Sequence, residues 1–252
     1  MRRIWTTIGS ILTDLLFPPR CAGCGALLPP FRTLRDGSMP MLCSTCRPAW
    51  DRALSRDGDR LGAVWLVPYK PEEPEAVPQQ VLFRLKHRDD RRLTDWLAAA
   101  LAKPVREALR SETSGNVPVT VVVLYPPRRR AAVRRDGFDQ AKRLACALAR
   151  QLNAVCLPAI RRVSDGAGAQ KTLDAAGRKE SAASSYALDE RYADRLTGCC
   201  VVLVDDLFTT GATLSRLALL ARSAGCAHVL IATVARTYRR SPTETGTKTE
   251  EG

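Results

Sequence analysis

The stretch VVLVDDLFTTGAT, residues 201–213, places four apolar residues before two acids, then two more apolar residues before a run of threonine, glycine and alanine. A short continuous apolar run fits a strand buried on both faces, as in a parallel sheet covered by helices. Asp205 and Asp206 then fall at the strand's C-terminal end. Thr209, Thr210, Gly211, Ala212 and Thr213 form the turn into a following helix, with Thr213 expected to cap it. In open parallel sheets, ligands bind beyond the C-terminal ends of the strands. Turn amides and threonine hydroxyls at that place suit a phosphate dianion, and the acid pair suits ribose hydroxyls or a cation. The glycine-rich run and lysine of a Walker loop are missing, and so is the dinucleotide-binding fingerprint. The plainer reading is a strand that ends in a polar turn.

Outward from this stretch, apolar strands and amphipathic helices alternate. VTVVVLY (119–125) is a strand bounded by Pro126-Pro127, FDQAKRLACALARQL (138–152) a helix, and VCLPAIRRV (155–163) one short strand. Residues 164–190 are small and polar and read as a loop. TLSRLALLARSAG is a helix and HVLIATVAR (228–236) a strand. Upstream, GAVWLVPYK (62–70) has a strand core, and 79–109 carries leucines at helical spacing in one or two helices. The pattern predicts an α/β fold, an open and mostly parallel sheet with helices on both faces. Residues 61–237 are its expected extent, after a separate module in 1–50 and before a disordered tail in 238–252.

The 252 residues include 39 Lys plus Arg against 26 Asp plus Glu, a formal charge of +13 that suits a polyanionic partner. RRRAAVRR (128–135) concentrates part of it, with a solvated surface as the plain alternative. No run of 18 apolar residues suggests a membrane span. The start, MRRIWTTIGSILTDLLFPPR, resembles a secretory signal, but polar residues break its apolar run and no small-residue cleavage site follows. It reads as an amphipathic helix, and the chain is expected in the cytoplasm. His87, one of two histidines, has no partner motif and reads as a surface residue.

Nine cysteines are unevenly placed. Cys21, Cys24, Cys43 and Cys46 form two Cys-x-x-Cys pairs, the spacing of a closed four-thiolate zinc site that stabilises a module too small to hold itself. Two disulfides or an iron–sulfur centre are the alternatives, the first disfavoured in a reducing compartment. The other five cysteines lie in apolar segments and read as small hydrophobes.

VVLVDDLFTTGAT resembles the ribose-phosphate signature of type I phosphoribosyltransferases. Together with the four-cysteine module and RRDGFDQAKRLACALA (134–149), the chain is similar to the ComF family of competence-associated proteins, which join a zinc module to a phosphoribosyltransferase domain. The resemblance implies that Asp205 and Asp206 contact the ribose hydroxyls of phosphoribosyl pyrophosphate and that Thr209 to Thr213 wrap its 5-phosphate. It places Tyr125 to Arg128 near the pyrophosphate, with Arg134 and Arg135 close by. Relatives carry Arg-Gly-Phe-Asn-Gln where this chain has Asp136, Gly137, Phe138, Asp139 and Gln140, so two acids enter an expected anion site. Gln170, Leu173, Arg178 and Tyr186 fit the family spacing, with Ser181 where asparagine is common.

The implied activity is a glycosyltransferase reaction, phosphoribosyl transfer from phosphoribosyl pyrophosphate with Mg²⁺ to an unidentified acceptor, in a setting of DNA uptake. The alternative is a non-enzymatic protein that binds DNA or DNA-uptake proteins. The charge and the arginine cluster favour it; the lack of aromatics between the arginines does not.

Overall fold

The computed structural model describes residues 18–29, 40–54, 62–112, 120–163 and 185–237. The helix expected before Pro18, the tail after Thr237, and Gln170, Leu173, Arg178 and Ser181 lie outside the described residues.

Five parallel strands form the sheet: β1 (Ala63–Tyr69), β2 (Val121–Leu124), β3 (Val155–Cys156), β6 (Cys200–Phe208) and β7 (His228–Thr237), in the order β1-β7-β6-β2-β3. The helices are α1 (Cys46–Ala53), α2 (Val77–His87), α3 (Arg91–Glu112), α4 (Arg130–Asp136), α5 (Gln140–Leu152) and α6 (Ala212–Ser223). A small antiparallel pair, β4 (Ile160–Arg162) and β5 (Tyr186–Leu188), stands apart from the sheet. The expected open parallel sheet is the observed one.

Alternate residues of β6 serve opposite cores, which explains its unbroken apolar run. Val202 and Val204 join α3 and α5 on one face, and Val201 and Leu203 join α6 on the other. The two faces follow from chain direction. The connection β2–α5–β3 runs one way across the sheet and β6–α6–β7 the other, so right-handed crossovers place their helices on opposite faces. Pro68 sits in β1, an edge strand paired only to β7, where a missing N–H is tolerated.

One expectation is corrected here. VCLPAIRRV is not one strand: Val155 and Cys156 pair with β2, and after Pro158 the chain leaves the sheet and pairs Arg162 with Tyr186. A proline has no N–H to continue a ladder. RRRAAVRR also holds a short helix, α4, ended by Gly137 at φ +78°, the left-handed turn that favours glycine at a helix end.

The cysteine module does not stand clear of the sheet domain. Cys21, Ala22, Leu28, Met41, Leu42, Cys46 and Trp50 belong to the same buried cluster as α3, α5 and one sheet face. Trp50 meets Trp96 of α3 with ring centroids 5.0 Å apart.

Candidate functional site

The sheet itself creates the site. β2 ends with Leu124 opposite Leu203, while β6 continues beside β7 as far as Phe208 opposite Arg236. Beyond Leu203, β6 therefore has no neighbour on the β2 side. The chain also turns from β2 to β3 on one side and comes back to β6 on the other, the switch at which α/β sheets open a crevice. Asp205, Asp206 and the loop after them occupy this edge.

Gly211 precedes α6 at φ +74°, and no side chain caps the helix. Thr213 lies within the first turn and is not the expected cap. The nearest side-chain substitute is weak, Thr210 Oγ1 accepting from the Ala212 amide at 3.4 Å. The leading N–H groups of a helix need partners, and an uncapped end facing a cavity is suited to an anion. That cavity, about 140 Å³, is lined by Asp205 and by residues from Leu207 through Leu214. Its shape depends on Gly211: a Cβ there would stand 2.6 Å from Phe208 Cζ. The Phe208 ring is in turn covered by the Arg236 guanidinium at 5.3 Å, which also lies 4.7 Å from the Trp65 ring. Gly211→Ala is expected to destabilise the fold by about 1–2 kcal/mol for the left-handed backbone, and further through the contact with Phe208. A melting temperature unchanged from wild type would contradict this packing.

The acids differ. Asp206 is 7% exposed, its Oδ2 has no hydrogen-bond partner, and Lys86 Nζ of α2 stands 3.7 Å from that oxygen. Asp205 is half-buried and accepts from the Asp206 amide at 2.9 Å. Burial first, and the charge of Asp206 second, raise the Asp205 carboxyl well above the ordinary carboxylate range. Asp205 lines the cavity and fits a sugar hydroxyl or a cation, whereas Asp206 is the neighbouring strand residue, on the side of Lys86.

A second cavity of about 270 Å³ shares Asp205 and Thr213 with the first and extends to Arg128, Arg129, Gln140 and Arg162. Two buried atoms there have no hydrogen-bond partner, Gln140 Oε1 and Arg162 Nε. Arg162 donates from Nη1 to the Tyr186 hydroxyl at 2.8 Å and lies over its ring. The groove thus runs from an uncapped helix end, past Asp205, to a cluster of guanidinium groups.

The other sequence-predicted residues divide. Arg128 lines the groove. Tyr125 is buried in the core, and burial raises its hydroxyl pKa. Arg134 and Arg135 are exposed in the last turn of α4. The two unexpected acids are both structural partners. Asp136 pairs with Arg128 at 2.9 Å and Arg135 at 2.7 Å. Asp139 caps α5 through the Lys142 amide and also accepts from the Arg128 amide at 3.1 Å. Their charge is used to position Arg128, not left unpaired facing the groove. Lys86, Gln140 and Arg162 went unrecognised as site residues in the sequence. All three fall within segments whose secondary structure was read there, and only Gln140 lies within a motif that carried the family resemblance.

In the cysteine module, the four sulfurs of Cys21, Cys24, Cys43 and Cys46 lie within 4.8 Å of one another. Cys24 Sγ and Cys43 Sγ are 3.7 Å apart. A tetrahedral ion with Zn–S of about 2.3 Å has sulfur–sulfur edges of about 3.8 Å, so the cluster fits a structural metal such as zinc. The Cys46 backbone amide lowers the Cys43 thiol to about 6, while burial and neighbouring thiols push Cys46 up to about 12. Four sulfurs this close could hold a cation among them.

No protein-family model and no curated protein matches the chain. Solved structures similar to it include the glutamine phosphoribosylpyrophosphate amidotransferase from B. subtilis complexed with ADP and GMP, at 16% identity and a TM-score of 0.37. The match covers 60% of this chain and 30% of that one, so the chain spans less than a third of that protein. Adenine phosphoribosyltransferase from Thermoanaerobacter pseudethanolicus matches at 17% identity over 58% of this chain and 82% of that one, TM-score 0.36. Trypanosoma cruzi hypoxanthine phosphoribosyl transferase matches at 19% identity, 59% and 68% coverage, TM-score 0.36. Among the described residues no helix is long and apolar enough to cross a membrane.

Proposed function

We propose that the chain is a ComF-like phosphoribosyltransferase that binds phosphoribosyl pyrophosphate with Mg²⁺ along the groove at the end of β6. The observation that carries this reading is one continuous groove that joins an uncapped α6 N-terminus, the Asp205 carboxyl and the Arg128 guanidinium. The loop Thr209 to Thr213 takes the 5-phosphate, Asp205 and Asp206 the ribose hydroxyls, and Arg128 the pyrophosphate end. Asp205 and Asp206 would be the residues to hold Mg²⁺, whose charge would offset that of the leaving group.

In the transfer step the acceptor's lone pair forms a bond to C1 of the ribose. The bond from C1 to the pyrophosphate oxygen breaks, and its electron pair leaves with pyrophosphate. The residues of this chain contribute placement and fixed charge: the α6 amides hold one end of the substrate and Arg128, held by Asp136, the other. Calorimetric titration of phosphoribosyl pyrophosphate with Mg²⁺, followed by pyrophosphate release across nucleobase and amine acceptors, tests the proposal. Saturable binding supports it, and absence of binding overturns it.

A second reading, a role in DNA uptake through direct DNA contact, draws support from Arg130 and Arg134, exposed on α4 and without an ion pair to any described residue. Its signature is an affinity that falls steeply with salt as phosphate contacts release counterions. A shallow salt dependence would remove it.

A further inference from the structure

A third cavity, of about 450 Å³, lies outside the groove, between the N-terminal turn of α3, one side of α5 from Lys142 to Arg150, and Val133 of α4. It is larger than either part of the groove (140 and 270 Å³) and falls in the size range of small-molecule sites, about 300–1,000 Å³. Its floor is apolar, formed by buried Phe138, half-buried Val133 and the Cys146 thiol. Its rim is cationic. Arg143 lies over the Phe138 ring at 5.1 Å, and Arg91 and Lys142 stand exposed at the mouth without an ion pair to any described residue.

The acids around it are already engaged. Asp89 pairs with Arg143, Asp95 with Arg150, and Asp139 caps α5. Two uncommitted cations over an aromatic floor suit a ligand with an anionic end and a planar ring. The ring lies against the Arg143 guanidinium that covers Phe138, and the anion meets Arg91 and Lys142 through charge-assisted hydrogen bonds.

The floor of this cavity also holds Arg128. The Phe138 carbonyl accepts from Arg128 Nη1 at 3.3 Å, and Asp139 Oδ2 accepts from the Arg128 amide. Phe138 and Asp139 therefore face the cavity and fix a groove arginine at the same time. We propose that the cavity is a regulatory site for a nucleotide-sized organic phosphate, acting on Arg128 through residues 136–139. Occupancy of the cavity itself does not depend on the groove's assignment to a sugar phosphate.

The test is calorimetric titration of adenosine 5′-monophosphate into the full chain without other ligands. Adenosine and inorganic phosphate serve as separate probes, and circular dichroism checks folding. The expected result is saturable binding, weaker with either fragment. Affinity should fall about tenfold or more in Arg91→Met/Lys142→Met, since each charge-assisted hydrogen bond carries about that much affinity. Because the groove is itself assigned to a ribose 5-phosphate, the titration is repeated with saturating ribose 5-phosphate, and the affinity that remains should be unchanged in Thr210→Val. Loss of affinity in Thr210→Val with none in the double variant would place the nucleotide in the groove and overturn the proposal, as would absence of binding to the wild type. Coupling is read separately: saturating adenosine 5′-monophosphate should shift the affinity for phosphoribosyl pyrophosphate, and the reverse shift must be equal. No mutual shift, with nucleotide binding intact, would overturn the regulatory role.

Discussion

Asp206→Asn is expected to lower the affinity for phosphoribosyl pyrophosphate about ten- to a hundredfold, and Thr210→Val to act in the same direction. The magnitude follows from the state of each side chain. Asp206 adjoins the groove-lining Asp205 and holds a buried oxygen without a hydrogen-bond partner, 3.7 Å from Lys86, and a ribose hydroxyl or cation that reached it would supply that contact. A hydrogen bond to a charged group contributes about 1.5–3 kcal/mol. Asparagine keeps the shape and removes the charge, and the core of β6 should stay intact. Thr210 is exposed and makes one long contact within its own turn, so its replacement costs the fold little while removing a hydroxyl from the phosphate cradle. Calorimetry on wild type and both variants decides the matter. Unchanged affinity in both would mean that Asp205 and Asp206 only terminate a strand. A wild type with no affinity would mean that the groove keeps the shape of a site whose ligand it does not bind.

Much of this site was legible because β6 is buried on both faces, and a strand so placed must be apolar until it leaves the sheet. The change from Val204 to Asp205 marked the point where β2 stops flanking β6, not the end of β6 itself, which runs on beside β7 to Phe208. The four cysteines were equally legible, since spacing alone constrains what paired thiolates can hold. Three things were less so. Asp139 read as an intrusive charge in an anion site, yet an aspartate directly before an amphipathic run is a common helix start, and that is its role. Asp136 could not be read this way, because its partner Arg128 is brought near only when α4 folds back, and α4 itself has no apolar periodicity to announce it. Lys86 was invisible for a related reason. Its register on α2 is ordinary, and only the docking of α2 near the end of β6 brings its ammonium to Asp206.

Cys43→Ser is expected to cost the protein its bound metal and much of its stability, with an effect extending well beyond the cysteine module. Elemental analysis of the wild type should return about one zinc per chain, the stoichiometry of a four-thiolate site. Binding of a structural zinc is worth about 10–16 kcal/mol in small modules, comparable with the whole stability of a domain, about 5–15 kcal/mol. Three thiols cannot replace it. The loss spreads because the module shares its core with the sheet domain: Trp50 packs on Trp96, and module residues continue the cluster that covers one sheet face. Exposing a buried tryptophan and its neighbours costs about 3–5 kcal/mol. For a chain of this size each kcal/mol moves the midpoint by about 2–4 °C, so the melting temperature should fall by about 6–20 °C. The damage should reach the groove through α2. A Cβ on Gly25 would stand 2.8 Å from Arg84 Nη2, a measure of how closely the first cysteine turn and α2 pack, and Lys86 lies on that same helix. Chelation of the wild type should reproduce the loss, and restored zinc should reverse it. A Cys43→Ser protein with a full equivalent of zinc and an unchanged melting temperature would sink the assignment.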